Sequence, residues 1–217
     1  MHSGKISGAA LIVGAIGGMV TMAIHPSGSH LDAGPEVLRA AADTTRLAHA
    51  IALVSMPLML FGQADFARRL GFQRASATAG LVFQAFAVMA VLSAAVMSGM
   101  VQGELMDSAA RSDAHQHRAV IGSQMHYTFV LNQAYAAVYT AASAAAMAAW
   151  SLGLWAAGRM RGLAGLGLAV AVGQAAFMAV GGDDALSVHG FMLIILGQAI
   201  WAIGIGVALF RDWRATA

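Results

Sequence analysis

The stretch Ile6–Ile24, ISGAALIVGAIGGMVTMAI, runs nineteen residues without a formal charge and ends on His25-Pro26. As a helix rising 1.5 Å per residue it spans about 28 Å, close to the hydrocarbon thickness of a bilayer. It is too long for the 7–15-residue core of a signal peptide, and it ends in His-Pro rather than a small-residue cleavage site. It therefore reads as a retained transmembrane helix. Gly14, Gly17 and Gly18 give it a small-residue face for close helix contact.

Five further apolar segments follow: Leu47–Phe66, Ala75–Val101, His126–Trp150, Leu163–Val180 and Leu186–Phe210. The expected fold is all-α, a polytopic integral membrane protein of six transmembrane helices forming one domain over residues 1–217. Between the first two spans, Gly34-Pro35-Glu36 with Val37, Leu38 and Ala41 reads as a short amphipathic helix on the surface, since proline suits a helix's first turn. Pro57 is expected to kink the second span by removing a backbone bond. Glu104 to Arg118 reads as a polar connection, and Gly181-Gly182-Asp183-Asp184 as a tight turn.

Composition agrees. Of 217 residues 59% are hydrophobic and 10% charged, against about 25% charged in soluble domains. The mean hydropathy is +0.71. A formal charge of +2 and the absence of a basic run argue against a nucleic-acid partner. With no cysteine there is no disulfide, thiolate ligand or cysteine nucleophile. The only lysine is Lys5, so no mid-membrane Schiff base is available. Phosphate-cradling loops, nucleophile elbows and His-Glu-x-x-His are absent, as are the repeated His-x-x-x-His boxes of fatty-acid desaturases.

Basic residues in short loops set the orientation. Lys5, Arg68, Arg69, Arg74, Arg159, Arg161, Arg211 and Arg214 fall on one side, eight of twelve, which places both termini in the cytoplasm. The expected setting is a bacterial inner membrane. Seven of eight histidines, His25, His30, His49, His115, His117, His126 and His189, then face the periplasmic side, with eight of ten acids.

Four of those histidines, His25, His49, His126 and His189, belong to four different spans at comparable depth and are the expected metal ligands. Imidazole beside the thioethers of Met19, Met22 and Met125 favours copper, with zinc as a further option and haem b as the alternative. Asp43, Glu104 and Asp184 are the candidate catalytic, proton-handling carboxylates, with Asp32 as a further one. The plainer account of each histidine is an amphipathic ring at a helix end near water. Sevenfold spacing puts His49, Met56 and Gln63 on one helix face, and His126, Gln133, Thr140 and Met147 on another. Gln63, Gln84, Gln133, Gln174 and Gln198 read as interhelical hydrogen bonds, or as the wall of a pocket for a quinone or lipid.

These features lead to three functional expectations. The first is a membrane metalloprotein with a histidine-rich site, acting in redox or metal-assisted catalysis. The second is a non-catalytic subunit or assembly factor bound to partner subunits. The third is a small-molecule or metal transporter, for which Pro57 and the glycine-rich last spans speak.

Overall fold

The computed structural model describes residues 3–26, 34–111 and 115–211, with the backbone alone at 3, 115–118 and 183. All regular structure among them is helical. It comprises α1 (Ser3–Ile24), α2 (Pro35–Leu70), α3 (Ala75–Ala95), a π-helical segment (Val96–Val101) and α4 (Gln102–Ala110). These are followed by α5 (His115–Ala156), α6 (Arg161–Val180), the single turn α7 (Gly182–Ala185) and α8 (Val188–Phe210). Six helical stretches are long and apolar enough to cross a membrane, with α3, the π segment and α4 forming one of them.

The short surface helix expected before the second span does not exist as a separate element. Pro35 opens α2, which continues unbroken for 36 residues. No glycine or proline interrupts Glu36 to Met56, and Asp43-Thr44-Thr45-Arg46 is compatible with helix, so nothing stops propagation. At 1.5 Å per residue α2 is about 54 Å long and outreaches a 30 Å hydrocarbon core. Its first turns pack instead with α4 and α5. Leu38, Ala41 and Ala42 form a second hydrophobic cluster with Met106, Ala109, Ile121 and Met125. The expected polar connection is likewise mostly helical, because Met106, Ala109 and Ala110 give α4 an apolar face to bury. The helix also runs through Pro57, which lies on an exposed face.

The spans pack in chain order, α1 on α2, α2 on α3, α3 on α5, α5 on α6 and α6 on α8, and α8 closes the ring on α1. Glycine makes that closure possible. A methyl at Gly8 would stand 2.6 Å from the Gly206 carbonyl, so the α1 and α8 backbones touch there.

One end of the bundle axis is filled by aromatic rings. Trp150 and Trp201 stack at 6.0 Å, and Phe66 meets both edge-on at 5.8 and 6.2 Å. Each indole N–H is satisfied, Trp150 by the Ala77 carbonyl and Trp201 by that of Leu163, both at 3.2 Å. At this end Asp65 accepts from Ser7 of α1 at 2.6 Å and pairs with Arg68 and Arg69. In mid-bundle the Tyr139 hydroxyl donates to Gln198 Oε1. The Gln198 amide donates to Ser143 at 2.7 Å and to Gln174 at 3.3 Å, which joins α5, α6 and α8.

Candidate functional site

Toward the His25 end the axis is not filled. A cavity of about 940 Å³ lies between α1, α2, the π segment, α5 and the start of α8. Its deep wall is apolar, with Met22, Ala52, Met56, Val91, Phe191 and Ile195. Phe129 of α5 lines it and is half exposed. Among the described residues its lining holds no Asp, Glu, Lys or Arg.

Three histidines line this cavity, His25, His49 and His126, and the first two meet. His25, just past the last turn of α1, and His49 of α2 have ring centres 5.0 Å apart and planes at 69°. His25 Nδ1 lies 2.9 Å from the Pro26 carbonyl and His49 Nδ1 lies 2.7 Å from the Thr45 carbonyl. A carbonyl only accepts, so both Nδ1 atoms carry the hydrogen. In the neutral rings Nε2 is then the bare nitrogen, free to accept a hydrogen bond or bind a metal. Burial lowers the proton affinity of His25 below the ordinary imidazole value, outweighing the opposing effect of its bond to Pro26.

The α2 backbone fixes His49, and the π segment presses against it. A methyl at Gly99 would overlap the His49 Cβ, so only glycine lets the two helices approach here. The extra residue of a π turn also re-aims the side chains that follow, a device frequent at functional sites. Ser98 lines the cavity from it, and Gln102 from the first residue of α4. Outside the wall, Arg46 binds Asp107 at 2.5 Å and Glu104 at 3.4 Å, with Asp43 at 3.6 Å and Arg111 on Glu104 at 2.9 Å. These charges clamp α2 to α4.

The structure does not gather all four expected ligands on one point. His25 and His49 touch, and His126 lines the same cavity, whereas His189 is exposed and off its wall. Among the described residues no three of His, Asp and Glu come close enough to hold a metal ion. His189 is the second residue of α8 and does not line the cavity, whereas Val188, Phe191 and Ile195 of the same helix do. The candidate catalytic carboxylates stand off the wall as well. Asp43 and Glu104 belong to the arginine cluster, and the Asp184 side chain is exposed. His30 and Asp32 lie outside the described residues, and His115 and His117 are described by backbone alone. Met22 and Met125 line the cavity, and Met19 does not.

Sequence reasoning passed over Thr45, Ser98, Gln102 and Asn132, which also line the cavity. Thr45 had a readable signal, since it sits four residues before His49, one turn away on the same face. The chain matches no protein-family model, no curated protein and no solved structure.

Proposed function

We propose that this chain is a six-span integral membrane protein, both termini cytoplasmic, that takes a lipid-soluble amphiphile into the cavity at its extracytoplasmic end. One observation carries the reading: a 940 Å³ apolar chamber with paired imidazoles in its wall and no charged side chain among its described lining. That volume lies in the range of small-molecule sites, about 300–1,000 Å³, and such sites are mostly apolar with a few placed polar groups. On this reading a molecule dissolved in the bilayer enters beside the half-exposed Phe129. Without a carboxylate in the described lining for acid–base work, the claim is binding. Purified protein in nanodiscs, extracted and analysed by mass spectrometry, is expected to carry a neutral lipid or quinone in stoichiometric amount. A chamber holding nothing beyond the bulk lipid composition would count against it.

A second reading has its own support. Two imidazoles bound through Nε2 at about 2.0–2.1 Å to one tetrahedral ion place their ring centres about 5 Å apart, as His25 and His49 stand. The Nδ1 bonds to backbone carbonyls are the usual outer support of metal-bound histidine. With Met22, Met56, Met106 and Met125 in the same wall and no carboxylate there, soft, low-charge copper suits the donors better than zinc. A haem between these two rings has no room at 5.0 Å. Copper analysis of protein purified with and without added metal tests this reading, and a content unchanged by His49→Leu would sink it.

A further inference from the structure

Resting on the amphiphile reading, we infer that the cavity takes an uncharged amphiphile with a single chain, and that Gly18, Met56 and Ile195 form the stop that sets the length of that chain.

Two rungs between α1 and α2 fix the depth of the chamber. At the upper rung His25 meets His49. At the lower rung Gly18 meets Met56, each seven residues along its helix from the histidine. A methyl built on Gly18 would stand 3.5 Å from Met56 Cε and 3.9 Å from Ile195 Cγ2 of α8. Seven residues of helix rise about 10 Å, which is the distance between the rungs along the bundle axis.

Below the lower rung the free space all but ends. Gly18, Met56 and Ile195 also border a void of about 10 Å³, room for one water molecule and no more. Tyr139 and Gln198 close that void from the other side, and their hydrogen bond belongs to the network joining α5, α6 and α8. Side chains from three helices, backed by a hydrogen-bonded layer, therefore make a fixed stop.

The wall between the rungs selects hydrocarbon. On α1, α2 and α8 it consists of Met22, Ala52 and Phe191. Thr21 lies there too, but its hydroxyl already donates to the backbone carbonyls of Gly17 and Ala48. The amides of Asn132 and Gln133 stand on the α5 wall, so the apolar track runs along the other three helices. Met56 and Ile195 come within 4 Å of the same point on Gly18, a width that suits one chain end. The phosphate of a two-chain phospholipid would find no cation among the described lining residues.

The test offers the full chain in nanodiscs an equimolar mixture of saturated monoacylglycerols, from hexanoyl to stearoyl. Mass spectrometry then reads which lengths the protein enriches over the bilayer. Enrichment is expected to peak at one length and to fall about fourfold for each carbon beyond it, because a methylene that does not fit is pushed out toward the polar rung. Gly18→Ala sets a methyl in ordinary contact with Met56 and Ile195 and replaces a glycine inside a helix, so it is expected to fold as well as the parent. Its peak should move to a shorter chain. Met56→Ala opens the stop into the void beneath, and its peak should move to a longer one. Enrichment indifferent to length, or a peak that neither variant moves, would overturn the stop and leave the amphiphile reading standing. If no monoacylglycerol is enriched, the single-chain inference falls. If the protein then also carries nothing beyond the bulk lipid, the amphiphile reading falls with it.

Discussion

Thr45 holds His49 with its backbone and leaves its own side chain unspent: the carbonyl accepts from His49 Nδ1 at 2.7 Å, while the hydroxyl has no partner. One helical turn thus orients a ring through its backbone and buries an unpartnered hydroxyl beside it. The arrangement makes the site sensitive to small changes in the helices that press on it.

Gly99→Ala tests that sensitivity. The added methyl has no room against the His49 Cβ, and a backbone or ring displacement must follow. A loss of about 1–3 kcal/mol in stability is expected, the usual cost of overpacking. Thermal unfolding in detergent measures it, and an unchanged midpoint would show that the π segment does not bear on His49.

The arginine cluster divides unequally. Asp107 is 18% exposed at 2.5 Å from Arg46, whereas Glu104 is 66% exposed at 3.4 Å. Asp107→Asn is expected to cost about 1 kcal/mol and Glu104→Gln less than about 0.5 kcal/mol, since exposed pairs contribute little. Raising salt should shrink the Glu104 effect further. Equal losses for the two variants would contradict the geometry.

Acid should weaken the fold through His25. Its ordinary value is 6.5 and burial lowers it in the folded protein. Between the two values the unfolded chain binds more protons, so stability rises with pH there. The contribution is fully present above 6.5 and is lost as pH falls through the lower, folded value. The unfolding midpoint is expected to drop between pH 7.5 and 5.5, and to drop less in His25→Asn. A variant that loses as much as the parent would place the acid sensitivity elsewhere.

Tyr139→Phe removes the donor to Gln198 while keeping the ring against Phe191, 5.7 Å away. Interhelical hydrogen bonds in membrane proteins average about 0.6 kcal/mol and reach about 1.7, and the loss should fall in that interval. Because the network lies deeper than the histidines, ligand affinity should stay within twofold. A larger change in binding than in stability would make Tyr139 part of the site.

Much of this was legible in the chain. Uncharged runs of about twenty residues marked all six spans, because no soluble fold needs them at such length. Sevenfold spacing correctly placed His49, Met56 and Gln63 on one buried face, at 7, 4 and 3% exposure. The lengths of α2, α4 and α5 were not legible. Leu38, Met106 and Ile121 are scattered between polar residues, and their common cluster exists only once three helices meet. The pairing of His25 with His49, and not with His189, depends on rotation about each helix axis. Composition near a helix end carries depth but not azimuth. The π segment left no periodic trace, since Val96–Val101 reads as ordinary apolar helix.

The stacked indoles of Trp150 and Trp201, sealed by Phe66, give the bundle a floor. If the proposed amphiphile enters the cavity at the other end, carrying it through the bundle would require these three packed aromatic rings to part. Under that proposal the cavity serves as a receptacle and not as a conduit.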